Sequence, residues 1–158
     1  LRGDAESWRN AMPVTEEMGN LWDLHHQGHW IAITTNGILK SDGRAVMGAG
    51  LAKQAAGRFL DLPRVLGTHI RTCGNTPMAF PGMRIITLPT KHHFRDASDI
   101  GLIQESLRQV QGLLTQNQIV RLYCPRPGCG LGQLTWQQVR AAIAPVVDYR
   151  CIFLHPIG

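Results

Sequence analysis

From Trp30 onward the chain alternates short apolar runs with amphipathic stretches, and this limits the folds open to it. "WIAITT" (30–35) is apolar, β-branched and followed by Asn-Gly, so it reads as a buried strand. "GAGLAKQAAGRFL" (48–60) sets Leu51, Ala52, Ala55, Ala56 and Phe59 at helical spacing. "LPRVLGTHIR" (62–71) opens with a proline suited to a first helical turn. "MRIITL" (83–88) is a strand. "SDIGLIQESLRQVQGLL" (98–114) is the longest helix, with Ser98 as its expected N-cap, and "IVRLYC" (119–124) is another strand. "TWQQVRAAIAPVV" (135–147) carries Thr135 and Gln138 at capping-box spacing, and "RCIFLH" (150–155) closes as a strand. Apolar strands separated by such helices predict an α/β fold with a largely parallel sheet covered on both faces.

The 158 residues, 44% of them hydrophobic, suit one domain that can bury a core without staples. Residues 1–18 are polar and without periodicity. They read as a peripheral arm, leaving 19–158 as a single domain. No apolar run approaches the roughly 20 residues of a membrane span, and the N-terminal stretch lacks the apolar centre of a signal peptide. A cytoplasmic monomer with no membrane partner is expected. Four irregularly spaced cysteines predict free thiols, with Cys124 and Cys151 in strands. Cys124 and Cys129 have no second pair to complete a metal site, so neither metal nor cofactor is expected. The formal charge of +5 favours phosphate-bearing partners.

Three strands run into loops with unusual chemistry: "NGILKSDGRAVMGAG" (36–50), "PTKHHFRD" (89–96) and "PRPGCGLGQLTW" (125–136). In a parallel sheet these loops share the carboxyl edge, where open α/β sheets bind ligands. Gly128, Gly130 and Gly132 precede a capped helix, and Gly48 and Gly50 open another. Both patterns suit backbone N–H groups turned toward an anion, and two on one edge suggest a diphosphate. The Gly48–Gly50 pattern does not fit Walker A, since Gly-Lys-Ser/Thr is missing, or the Rossmann fingerprint, since position 53 is lysine. Asn36 either shapes a turn with Gly37 or holds a ribose hydroxyl. Met47 and Trp136 either wall a ring or pack in the core.

"GRAVMGAGLAKQA" after a strand ending in Asn36, with "PRPGCGLGQLTWQQV", resembles the macrodomain family over about residues 19–155. "LPTKHHFRD" is similar to the lysine-bearing segment of one branch, that of the terminal ADP-ribose glycohydrolases and the DarG-like enzymes acting on ADP-ribosylated thymidine in DNA. The resemblance implies a three-layer α/β/α sandwich with a mixed, mainly parallel sheet. It implies ADP-ribose binding by Asn20, Leu21, Thr35, Asn36, Met47, Gly48, Gly50 and Leu51 from the first half. From the second half it implies Pro127, Gly128, Cys129, Gly130, Leu131 and Gly132. Asn20 stands where the family has an adenine-recognising aspartate. Gly132 stands where the protein-directed members carry an aspartate, which leans the resemblance to the DNA-directed side.

Lys91 matches the branch's catalytic lysine. Partial burial beside Arg95 and the histidines would favour its neutral amine, a nucleophile for the anomeric carbon; the ammonium would instead stabilise departing charge. In an extended segment His93, not His92, shares its side and could move a proton. Lys40, Arg44 and Arg95 are expected to hold nucleic-acid phosphates at the rim. The implied activity is release of ADP-ribose from a modified nucleobase, thymidine in single-stranded DNA. The alternatives are hydrolysis of another ADP-ribose derivative (a protein acyl ester, O-acetyl-ADP-ribose or the 1″-phosphate) or binding of ADP-ribose without catalysis.

Overall fold

Ile31, Ala32 and Ile33 have no solvent exposure, as consecutive residues must when a strand is covered on both faces. The computed structural model describes residues 14–156 and places these three in β2 (Trp30–Thr35). β2 pairs in parallel with β4 (Ile85–Pro89) on one side and β5 (Leu122–Cys124) on the other. β6 (Cys151–His155) adds in parallel to β5, and β1 (Glu16–Met18) in parallel to β6. β3 (Met78–Phe80) closes the other edge, antiparallel to β4, giving the order β1-β6-β5-β2-β4-β3. The expected mixed, mainly parallel sheet is the one observed.

Side-chain alternation along each strand sorts the core into two layers. Ile31, Ile33, Ile85 and Tyr123 face α1 (Leu21–His26), α2 (Gly50–Arg58) and α3 (Leu62–Cys73), meeting Ala55, Leu62, Leu66 and Ile70. Ala32, Ile86, Leu88, Leu122 and Phe153 face α4 (Ile100–Gln116) and α5 (Trp136–Ile143), meeting Ile103, Leu107, Val110, Leu114 and Val139. The result is the α/β/α sandwich. All four cysteines are free, with Cys124 and Cys151 in β5 and β6. Burial pushes the Cys124 thiol well up, so it stays protonated as a core residue. No helix among the described residues is long and apolar enough to cross a membrane.

Several boundaries differ from the sequence reading for local reasons. α4 is capped by Asp99, whose Oδ1 accepts from the N–H groups of Gly101 (2.9 Å) and Leu102 (3.1 Å); Ser98 lies one residue outside, buried. α5 ends at Ile143 instead of running to 147, since Pro145 has no N–H to continue it. β4 starts at Ile85 because Arg84, at φ 54, completes the turn from β3. Of the expected arm over 1–18, residues 1–13 lie outside the described residues, and Glu16–Met18 form β1.

Edge strand β1 is held by Glu16. Its Oε1 accepts from Trp136 Nε1 (2.8 Å) and pairs with His155 Nε2 (2.9 Å), and its Oε2 accepts from Arg140 (3.3 Å). Burial alone would raise this carboxyl's pKa, but hydrogen bonds from His155, Trp136 and Arg140 outweigh it and hold the pKa below the ordinary value. A depressed folded pKa adds stability above the unfolded value of 4.5, lost as the pH falls through the folded one. Glu16→Gln is therefore expected to cost about 1–2 kcal/mol at pH 7. The difference from wild type should shrink steadily below about pH 4.5 in urea titrations run across pH.

Candidate functional site

The loops after β2, β4 and β5 meet at the carboxyl edge of the sheet and enclose a cleft of about 560 Å³, a size that suits a small-molecule ligand. In the first loop Asn36 closes a turn, its Oδ1 accepting from Ile38 N–H (2.9 Å) and its Nδ2 donating to the Val46 carbonyl (3.0 Å). It also lines the cleft, as do Thr35, Gly48, Gly50 and Leu51. Between them Leu39 and Ala45 bridge a small hairpin, leaned on α3 through Ala45 N–H to the Pro63 carbonyl (2.8 Å). Lys40 and Arg44 sit at the end of that hairpin and do not line the cleft; Arg44 lies 3.8 Å from Asp42. Met47 is buried in the core under α2 and α3 and forms no wall.

The third loop is backbone packed on backbone. Gly128, Gly130, Leu131 and Gly132 line the cleft with Pro125 and Arg126. Gly128 has φ +79, the left-handed region that favours glycine. A Cβ at Gly132 would stand 2.1 Å from Ser98 Oγ and 2.6 Å from the Gly128 carbonyl oxygen, so this backbone leaves no room for a side chain. Leu134 N–H to the Gly128 carbonyl (2.8 Å) and Ser98 N–H to the Gly132 carbonyl (2.9 Å) lock the loop onto the start of α4. The Thr135–Gln138 capping box opens α5 directly behind it. Pro127 and Cys129 do not line the cleft. Cys129 packs against the core and donates its thiol toward the Pro127 carbonyl (3.5 Å), with burial raising its pKa against the opposing effect of Arg126.

The middle loop supplies the amine. Thr90 N–H bonds the Thr35 carbonyl (3.0 Å), extending the β2–β4 ladder by one step, and Lys91 follows half-buried in the cleft. Its Nζ donates to the Leu131 carbonyl (3.4 Å), joining middle and third loops. Its own carbonyl accepts from Asn75 Nδ2 (2.9 Å), and Asn75 packs against Gly37. Beyond Lys91 the chain turns instead of staying extended, so strict alternation fails there. His93 accepts Arg95 N–H on its Nδ1 (3.1 Å) and does not line the cleft; Phe94 does. His92 Nε2 pairs with Asp99 Oδ2 (2.9 Å), and that hydrogen bond leads the effects holding Asp99 below its ordinary pKa. Arg95 lies over the Phe94 ring and outside the cleft lining.

Asn20 and Leu21 are also outside the lining. Asn20 is the N-cap of α1, and its Oδ1, expected to accept from adenine, already accepts from Trp22 (2.9 Å) and Asp23 (3.2 Å) N–H groups. The lining residues that sequence reasoning missed include Thr90, Phe94, Ser98 and Arg126. For Phe94 and Arg126 a signal existed: one is the only large apolar residue in "KHHFRD", the other lies two before Gly128. Trp136 packs on Phe153 (ring centroids 5.5 Å apart) and takes the Arg126 guanidinium over its ring at 5.2 Å, so of its two readings packing is the one seen.

The packing at Gly132 predicts its own mutational pattern. Gly132→Ala is expected to cost about 1–3 kcal/mol in thermal or urea unfolding. Adding Ser98→Gly should recover only part of that, because the Gly128 carbonyl remains in the way.

No protein-family model matches the chain. It is 28% identical over 102 residues to "ADP-ribose glycohydrolase OARD1" of Homo sapiens, a match covering 65% of this chain and 67% of that protein. The solved macrodomain of Mycobacterium tuberculosis DarG superposes with a TM-score of 0.70 at 24% identity, covering 91% of this chain and 98% of the other. That of Thermus aquaticus DarG gives 0.71 at 22%, covering 90% and 97%. Thermosipho africanus DarTG, solved in complex with ADP-ribose, gives 0.67 at 23%, covering 80% of this chain, which spans 38% of the DarTG chain. With these superpositions over a mixed six-stranded sheet and its helices, the chain has the macrodomain fold.

Proposed function

We propose that the protein is an ADP-ribosyl glycohydrolase that frees ADP-ribose from a modified nucleobase, thymidine in single-stranded DNA. The observation that carries this reading is Lys91, whose amine reaches into the cleft between the two glycine-bearing loops. Binding ADP-ribose alone does not call for an amine there. Support also comes from OARD1, named as an ADP-ribose glycohydrolase, and from DarTG, solved with ADP-ribose. In this reading the diphosphate lies between Gly48–Gly50 and Gly128–Gly132, the distal ribose lies beside Lys91 and Asn36, and the adenosine runs toward Arg126 over β5.

The chemistry follows from that placement. The C1″–N bond breaks, its electron pair leaves with the base nitrogen, which takes a proton, and the hydroxyl of water ends on C1″. As a free amine Lys91 would attack C1″ of the ring-opened sugar and form a Schiff base that water then hydrolyses. As an ammonium it would stabilise the departing charge. Hydrolysis of a protein acyl ester is the weaker reading, because the aspartate of the protein-directed members falls at Gly132, where this backbone has no room for a side chain.

Lys91→Ala is expected to lower release of ADP-ribose from a modified single-stranded oligonucleotide by roughly 100-fold or more. ADP-ribose affinity by calorimetry should change only a few-fold. Turnover equal to wild type would remove Lys91 from the reaction. Borohydride trapping of a covalent sugar adduct on wild type, absent from the variant, would identify the amine as nucleophile.

A further inference from the structure

We propose that Phe94, stacked with His93 and Arg95, is the platform on which the departing nucleobase docks, and that it selects base-linked over acyl-linked ADP-ribose. This rests on the glycohydrolase reading above and extends it to the leaving group.

Phe94 belongs to neither core cluster, yet it is held firmly. The turn at 93–96, with Asp96 N–H on the His93 carbonyl (3.1 Å) and Arg95 N–H on His93 Nδ1 (3.1 Å), sets the three side chains together. The His93 and Phe94 ring centroids are 4.3 Å apart with planes inclined by 32°, a stacked pair. The Arg95 guanidinium lies 5.6 Å from the centre of the Phe94 ring, within cation–π range. Phe94 remains 41% exposed and lines the cleft. A large apolar ring kept in water at a cleft mouth, backed by a second ring and a cation, suits a flat partner better than a core.

Position decides which partner. Phe94 lines the same cleft three residues beyond Lys91, so with the distal ribose beside Lys91 a group attached at the sugar's anomeric carbon would leave past this ring. A nucleobase presents a π-face, and an aliphatic acyl ester presents none. In a duplex both faces of a base are covered by its neighbours, so only an unstacked base can meet Phe94. Arg95 would add a positive charge where the adjoining phosphodiester must pass. The loss of one base–aromatic stack corresponds to roughly 5- to 150-fold in affinity or rate.

The test compares wild type, Phe94→Ala and Phe94→Trp on two substrates and one ligand. The substrates are a single-stranded oligonucleotide carrying ADP-ribosyl-thymidine and O-acetyl-ADP-ribose, and the ligand is unmodified oligothymidylate, followed by fluorescence anisotropy. Phe94→Ala is expected to lower the ratio of kcat/KM on the oligonucleotide to that on O-acetyl-ADP-ribose at least fivefold, and to weaken oligothymidylate binding by a similar factor. Phe94→Trp should retain both. Equal ratios and equal binding in Phe94→Ala and wild type would overturn the platform, as would a loss equal on both substrates. If wild type leaves the modified oligonucleotide uncut while oligothymidylate binding still depends on Phe94, the glycohydrolase reading fails and the departing-base role with it, leaving Phe94 as a base-binding surface alone.

Discussion

β2 is hydrogen-bonded in parallel to β4 along its length, from Ile31 opposite Ile85 to Thr35 opposite Pro89, and to β5 on its other side. Parallel pairing sends Thr35, Pro89 and Cys124 to the same edge, so the loops that follow must meet. One more ladder bond, Thr90 N–H to the Thr35 carbonyl, fixes the step from which Lys91 departs. Gly37 N–H on the His92 carbonyl (3.2 Å) then ties the first loop to the second. The cleft is thus a consequence of strand direction, and the position of its amine a consequence of register.

Against that rigid edge the glycine loop brings main chain where most sites bring side chains. Gly132 lies so close to Ser98 and to the Gly128 carbonyl that even a methyl group would displace the loop. Among the described residues Ser98 Oγ is left buried with no hydrogen-bond partner, an arrangement that typically costs about 1–3 kcal/mol. Lys91 bonds a carbonyl of this same loop, so the backbone wall and the amine hold one another in place. A site built in this way is specified by what is missing, namely a side chain at position 132.

Much of this could be read from the sequence, and the failures share a cause. The core strands β2, β4 and β6 and helices α2 to α5 announced themselves because long apolar periodicity records burial directly. β1, β3 and α1 did not, being three, three and six residues long and held by pairing or a cap instead of by pattern. Gly48, Gly50, Gly128, Gly130, Gly132 and Lys91 line one cleft because loops after parallel strands converge, and that much is legible from strand order. Asn20, Met47, Pro127 and Cys129 follow from the family pattern and His93 from strand alternation, but local demands turn them elsewhere: capping for Asn20, core packing for Met47 and Cys129, a tight turn for His93. Side-chain direction in a turn is set by a few backbone dihedrals, which alternation rules do not reach, and so Phe94 took the place expected of His93.

The central claim is that the glycine loops hold the diphosphate, and the Lys91 amine meets the distal ribose, of one ADP-ribose molecule. A crystal structure of the wild-type protein with ADP-ribose tests it most directly. The account predicts the diphosphate against Gly128–Gly132 and Lys91 Nζ within roughly 4 Å of the anomeric carbon, near the separation of reacting atoms in a near-attack geometry. ADP-ribose bound in the reverse sense, with adenine beside Lys91, or Nζ turned away into solvent with the sugar end out of reach, would contradict it.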